Sequence, residues 1–202
     1  MSDFVATSSM PTIMWFVCIV ASYFLGNISP AILISKASGF DIREKGSGNA
    51  GTTNMLRVMG KGAALFTLVV DIAKGFGAAL LGWWFGGEML AVICGLAVLC
   101  GHIWPLLFGF KGGKGIATGL GVLIIVNPVI AILCVLAAAA GIVLTVRVSV
   151  GAMLAALTLP VYAYFLMPQM LIPFTLMTII IMYKHKDNIK RLIRGEEPRS
   201  FN

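Results

Sequence analysis

The chain has 202 residues, of which 59% are hydrophobic and only 11% charged, and its formal net charge is +7. A soluble domain carries about a quarter charged residues, so an ordinary water-soluble protein is excluded and the chain is read as an all-α integral membrane protein. Nucleic acid is excluded as a partner by where the basic residues lie. Most of them fall in 36–61, 111–114 and 184–199, each stretch flanking an apolar run, which is the placement of cytoplasmic loops near anionic headgroups and phosphorylated substrates.

The first eleven residues hold Asp3 and no Lys or Arg, so the basic n-region of a cleaved signal is missing and a retained first span is expected from Ile13. Apolar runs follow at 13–35, 63–85, 89–108, 116–146, 148–167 and 170–183. A span needs roughly 20 apolar residues, so the fourth run is too long for one helix. Asn127-Pro128 interrupts it, and proline disfavours helix both at its own position and at the one before. The split yields seven spans. Parity agrees, because the tail with Lys184, Lys186, Lys190, Arg191, Arg194 and Arg199 reads as cytoplasmic and the N-terminus as outside. The fourth span, from Gly115 to Val126, then has to be short and tilted, or buried against its neighbours. With no repeat and no long linker, residues 1–202 read as a single membrane-embedded domain.

Taken in order, the polar residues fall into three groups at one face. Gly46, Ser47, Gly48, Asn49, Thr53 and Asn54 form the first, with Arg57 three residues on. Glycine lets backbone approach a ligand, hydroxyls and amides supply hydrogen bonds, and arginine grips phosphate bidentately. The bland alternative is a flexible loop with Thr53 or Asn54 capping a helix. Asp71 and Lys74 lie three apart inside the second run, where a buried ion pair bracing the bundle is the expected reading. His102, in the third run, is expected to be a hydrogen-bonded packing residue. The second group, Lys111, Gly112, Gly113, Lys114 and Gly115, opens the fourth span, and a glycine turn feeding a helix N-terminus is an anion site. It is no nucleotide P-loop: Phe108 stands where the first glycine belongs and Gly115 where Ser or Thr would hold magnesium. The third group pairs His185 with Asn188 at the head of an amphipathic helix along the inner surface. Cys18, Cys94, Cys100 and Cys134 sit in apolar runs without metal-ligand spacing, so neither a metal nor a cofactor is expected. Phosphate cradles at the lip of a membrane domain imply an enzyme acting on a phosphorylated, lipid-linked substrate.

Gly46-Ser47-Gly48-Asn49 with Thr53, Asn54 and Arg57 is the first of three matching motifs. The others are Gly101-His102 with Pro105 and residues 110–115, and His185 with Asn188, Arg191 and Glu197. Together they resemble, in order and spacing over the whole chain, the motifs of the bacterial acyl-phosphate:glycerol-3-phosphate acyltransferases, the PlsY family. The resemblance implies an inner-membrane enzyme of seven spans with its site on the cytoplasmic face. It implies acyl transfer from acyl-phosphate to the 1-hydroxyl of sn-glycerol 3-phosphate, giving lysophosphatidic acid and phosphate, with an upstream enzyme making the acyl-phosphate. Ser47, Arg57, Lys114, His185 and Asn188 are its implied catalytic core. The glycines around Lys111 and Lys114 are implied to hold the substrate phosphate, so a methyl on Gly112 or Gly113 is expected to raise KM for glycerol 3-phosphate. Glu197 is implied as a structural acid, and Ser149 is a weaker binding candidate.

Acyl-phosphate is a mixed anhydride, so no covalent enzyme intermediate is needed. The reaction asks for two anions side by side, neutralised charge, and a proton acceptor, which is either His185 or the donor's own phosphate. A His-x-x-x-x-Asp pair is absent, as His185-Lys186-Asp187 does not reproduce that spacing, which favours the phosphate. The rival class is a small transporter for an organic phosphate, whose site belongs near the midplane rather than at one face.

Overall fold

Hydrocarbon offers no partner to a backbone N–H or C=O, so an apolar chain crossing it bonds internally, as helix. The computed structural model describes residues 11–200, and Asp3 with the rest of 1–10 lies outside them. In chain order, α1 (Thr12–Asn27) and α2 (Pro30–Ala37) lead to a polar loop carrying the short α3 (Thr52–Met59). Then come α4 (Lys61–Ile103), a glycine-rich loop, α5 (Ile116–Val126), α6 (Pro128–Thr145), α7 (Val148–Leu166), α8 (Leu171–Lys184) and α9 (Lys186–Ile193).

Thr12–Ala37, Lys61–Phe108, Pro128–Thr145 and Val148–Leu166 are long and apolar enough to cross a bilayer; Ile116–Val126 and Pro168–Lys184 are shorter. The second of these segments is folded double. Inside α4, Gly86 (φ −158°, ψ 19°) and Gly87 (φ 67°, ψ −158°) leave helical geometry, the second in a region that favours glycine. The arms return so closely that a Cβ on Gly82 would strike Leu90 and Ala91.

Two boundaries correct the sequence reading. The first run, read as one helix over 13–35, breaks between α1 and α2. Pro30 has no N–H for the Gly26 carbonyl, and it holds Ser29 extended (φ −114°, ψ 94°). The third run, read to Phe108, ends as helix at Ile103, since Pro105 follows and Trp104 leaves the helical region (φ −125°, ψ 67°).

The expected break at Asn127-Pro128 is present. Asn127 is extended and its Oδ1 accepts the Ile130 N–H at 3.1 Å, capping α6 behind Pro128. It leaves α5 with 11 residues, or about 16 Å of helix at 1.5 Å per residue, against a hydrocarbon core of roughly 30 Å. Burial compensates. A Cβ on Gly121 would strike the Ile72 carbonyl and one on Gly75 the Thr118 carbonyl, so α5 lies backbone to backbone on the first arm of α4, as small residues permit in membranes.

Leu99, Val122, Ile130, Leu159 and Phe174 belong to the main core between α4, α5, α6, α7 and α8. Leu144 and Ile172 point outward, each 81% exposed, a surface suited to lipid rather than water. Asp71 and Lys74 form the expected buried pair, 2.8 Å apart. A second, smaller core of Ile32, Ile42, Ala50 and Met55 lies under the polar loop between α2 and α4, which gives that loop a floor. At the other end, Gln169 Nε2 donates to Glu88 across the two short turns, at 3.3 Å.

Candidate active site

The first loop is shaped by its own side chains. Asp41 accepts the Arg43 N–H at 3.0 Å and its guanidinium at 2.7–3.1 Å. The Arg43 hydrogen bond holds the Asp41 carboxyl down at about 2. Arg43 Nη1 also donates to the carbonyls of Phe108 (2.7 Å) and Lys111 (3.4 Å), stitching this loop to the next. Asn54, fully buried, accepts the Ser47 N–H (2.8 Å) and donates to the carbonyls of Ile42 (3.2 Å) and Lys45 (3.0 Å). Its amide is spent on the loop, so it braces the cradle from behind instead of meeting a ligand. Gly46 and Gly48 have φ of 57° and 71°, and a Cβ on Gly46 would strike Asn54 Oδ1. Neither Thr53 nor Asn54 caps α3; extended Gly51 precedes it, with no side-chain cap.

The second loop is held by its backbone. Phe110 N–H bonds to Pro105 O (2.8 Å), Gly112 N–H to Ile103 O (3.2 Å) and Gly113 N–H to His102 O (3.1 Å). Those two glycine amides are therefore not free for a phosphate. What a methyl would meet is protein: Pro105 and the His102 carbonyl at Gly112, the His102 ring and Ala50 O at Gly113. Gly115 (φ 87°) opens α5. Lys114, half-buried, donates to Asn188 Oδ1. Burial, then the charge of Arg191, lowers its pKa to about 8.

The third segment closes the ring. His185 terminates α8, and its Nδ1 lies 2.8 Å from Ile181 O; a carbonyl only accepts, so Nδ1 carries the hydrogen. Burial depresses its pKa to about 4, with Lys114 adding to the effect, so the ring is neutral. Asn188 Nδ2 donates to Glu197 Oε1 (2.7 Å), and Ser149 Oγ (2.6 Å) and Arg191 Nε (2.7 Å) donate to the same carboxylate. Burial works to raise the Glu197 pKa, but these hydrogen bonds outweigh it and the carboxyl sits below its ordinary value. Glu197 thus ties the start of α7, α9 and the tail together, and through Asn188 reaches Lys114.

A polar cavity of about 600 Å³ lies among the three segments. Of the residues singled out from sequence, Ser47, Gly48, Asn49, Lys111, Gly112 and Lys114 line it. Gly46, Thr53, Asn54, Gly113, Gly115 and Ser149 are not in its lining, nor are the buried His185 and Asn188. Arg57 is exposed on the last turn of α3, outside the lining but near enough to lower the Lys114 pKa. Arg191 of the third motif also lines the cavity, together with Asp41, Arg43, Glu44, Lys184 and Asp187, which lie outside the residues the motifs mark as site. An Asp-x-Arg pair just ahead of the glycines was the available signal for Asp41 and Arg43. Lys111, Lys114 and Lys184 form no ion pair among the described residues, so the cavity keeps positive charge for an anion.

A second cavity, about 90 Å³ and apolar, runs between α5, α6, α7 and α8. Ile116 and Ile181 line it, close in sequence to Lys114 and Lys184 of the polar cavity. Bundle and cavities together define an integral membrane protein with a cationic cavity and a separate apolar cleft.

Comparison with known proteins makes the class specific. The model of the glycerol-3-phosphate acyltransferase family matches residues 16–195. The glycerol-3-phosphate acyltransferases of Chromobacterium violaceum and Shewanella halifaxensis are each 41% identical to this chain, over 93% of it and 95% and 96% of their own lengths. The crystal structure of PlsY (YgiH), an integral membrane glycerol 3-phosphate acyltransferase, is similar at 33% identity. Its glycerol 3-phosphate form has a TM-score of 0.89, covering 93% of this chain and 96% of that one; its lysophosphatidic acid form has 0.85, covering 92% and 94%. The chain belongs to the glycerol-3-phosphate acyltransferase family, enzymes of phospholipid synthesis.

Proposed function

We propose that this enzyme takes its acyl group from an acyl-phosphate and places it on the 1-hydroxyl of sn-glycerol 3-phosphate, giving lysophosphatidic acid and inorganic phosphate. The observation that carries the reading is a cationic cavity and an apolar cavity whose linings are two and three residues apart along the chain, at Lys114 and Ile116 and at Lys184 and Ile181. Lys111, Lys114 and Lys184 offer charge for two phosphates, while Ile116, Leu120 and Ile181 line a cleft suited to an acyl chain. The related PlsY is known in glycerol 3-phosphate and lysophosphatidic acid forms, which supports the acceptor and the product. On this reading an upstream enzyme that makes acyl-phosphate supplies the donor.

The acceptor hydroxyl oxygen attacks the carbonyl carbon, the acyl C–O bond to phosphate breaks, and the hydroxyl proton leaves with that phosphate. Lys114, Lys111 and Ser47 hold and neutralise the anions, and Arg57, outside the lining, adds positive charge nearby. Asn188 and Glu197 fix the Lys114 ammonium. With its Nδ1–H given to Ile181 and its pKa near 4, His185 is a weak base at neutral pH but keeps Nε2 as an acceptor that can orient the acceptor hydroxyl. The leaving phosphate is therefore the better proton acceptor.

The reading extends to topology: one membrane-embedded acyltransferase domain, seven spans in the bacterial inner membrane, N-terminus outside and C-terminus cytoplasmic. All three polar segments then face the cytoplasm. An impermeant thiol reagent on intact cells is expected to modify Gln169→Cys and spare Lys45→Cys.

Purified protein in detergent, given acyl-phosphate and glycerol 3-phosphate, is expected to release phosphate and form lysophosphatidic acid with no membrane gradient, and acyl-CoA should not replace the donor. Turnover with acyl-CoA alone would overturn the donor assignment. His185→Gln, which accepts hydrogen bonds without basicity, should retain far more activity than His185→Ala. If folded His185→Gln is as inactive as His185→Ala, with a loss of roughly 10²–10⁴-fold, His185 is the base.

A further inference from the structure

We propose that Lys74, buried inside the bundle, is a positioning residue for the glycerol 3-phosphate loop, acting through His102. This rests on the reading that the loop around Lys114 binds glycerol 3-phosphate. A bracing ion pair needs only Asp71, and Lys74 does more. Its Nζ lies 2.8 Å from Asp71 Oδ1, 2.8 Å from Ile28 O, 3.2 Å from Gly26 O and 2.7 Å from His102 Nδ1. The Gly26 carbonyl is free because Pro30, four residues on, has no N–H to give it. Lys74 thereby also seals the break between α1 and α2.

The contact with His102 leads to the site. An ammonium only donates, so His102 Nδ1 accepts and Nε2 carries the ring hydrogen. The ring lies against Gly113, where no Cβ fits, and His102 O takes the Gly113 N–H. Ala50 O of the first loop meets the same glycine. Gly113 is thus the crossing of the two loops and the second arm of α4, and Lys114 is the next residue. Fixing the His102 ring fixes the platform from which Lys114 reaches the cavity. Membrane interiors admit ionisable groups at a penalty, and a pair of apolar side chains would brace α4 without one. Reaching His102 is what an apolar pair cannot do.

The test uses full-length protein in detergent. The double variant Asp71→Asn/Lys74→Met removes both buried charges, so no lone charge is left to unfold the bundle. Its thermal stability is expected to fall, because the carbonyls of Gly26 and Ile28 lose their donor, with the bundle still folded. KM for glycerol 3-phosphate should rise about tenfold or more, with KM for acyl-phosphate and kcat within about threefold. A folded double variant with wild-type KM for glycerol 3-phosphate overturns the proposal and leaves the pair a brace. Should the variants not fold, the wild type decides by ¹⁵N NMR of its two histidines. His102 is expected as the Nε2–H tautomer and His185 as the Nδ1–H tautomer, and glycerol 3-phosphate should shift the His102 ring signals. An unmoved His102 signal, or the other tautomer, overturns it. If the wild type itself shows no phosphate release dependent on glycerol 3-phosphate, the acyl-transfer reading has failed, which is a different result.

Discussion

The two glycine-rich loops reach one cavity by opposite means. The loop over 41–51 is built by side chains: the Asp41–Arg43 pair, the three-way Asn54 amide, and the buried Ile42, Ala50 and Met55 beneath. The loop over 109–115 is built by backbone, with three of its N–H groups on carbonyls of 102–105. Its one side-chain donor hydrogen bond among the described residues, from Lys114 to Asn188, points away from the loop. Arg43 is the stitch between them. A loop braced by side chains tolerates small backbone shifts and fails when a polar partner is removed. A loop braced by backbone in close contact fails when any side chain is added.

The largest effect should therefore come from the smallest addition to the second loop. Gly113→Ala sets a methyl against the His102 ring and within 2.9 Å of Ala50 O, an overpacking of about 1–3 kcal/mol. With Lys114 adjacent, kcat/KM for glycerol 3-phosphate is expected to fall about 10²-fold, with kcat reduced as well as KM raised. A methyl that only hindered phosphate approach, as the sequence implied, would raise KM alone. Steady-state kinetics on folded protein separates the two, and wild-type values would break the contrast between the loops.

In the first loop a removal should matter more than an addition. Asn54→Ala leaves the Ser47 N–H and the carbonyls of Ile42 and Lys45 without their partner, each worth about 1–3 kcal/mol if water cannot replace it. A lowered Tm and a roughly tenfold loss in kcat/KM are expected, smaller than for Gly113→Ala because this loop borders solvent. Asn54→Asp keeps the acceptor for Ser47 and loses both donors. If Asn54→Asp is as active as wild type, the donors to Ile42 and Lys45 are not what shapes the loop.

Much of this frame is readable in the residues. Hydropathy places the apolar segments, Asn127-Pro128 divides the long run, and the glycines mark both loops. What sequence leaves hidden is direction. Asn54 is a polar residue in a polar motif, and only the fold turns its amide inward. Gly112 and Gly113 look like ligand-facing glycines, yet their N–H groups bond to Ile103 and His102, and spacing alone does not reveal such a long-range bond. Arg43 and Asp41 fall outside the glycine cluster, and only their spacing of two residues hints that they pair. The break before Pro30 follows from proline chemistry; that Lys74 caps the freed carbonyl, 48 residues away, is not legible in the residues.

Proton titration sharpens the contrast further and should give the smallest effect. The Asp41 carboxyl sits at about 2, so the charges bracing the first loop do not change between pH 5 and 9. Lys114, lowered from 10.5 to about 8 by burial and by Arg191, does change. Its positive charge is complete well below pH 8 and is lost as pH rises through that value. If that charge binds phosphate, kcat/KM for glycerol 3-phosphate is level up to about pH 8 and then declines, by at most about tenfold per pH unit. Phosphate monoesters titrate near 6, so the substrate does not produce this limb. Bound phosphate favours the ammonium, so the limb in kcat should lie at higher pH than the limb in kcat/KM. Lys114→Arg keeps a charge that does not titrate and should remove the limb even where it slows turnover. A limb that survives Lys114→Arg belongs to another group, and a wild-type profile flat to pH 9.5 would take the titration of Lys114 out of the account of binding.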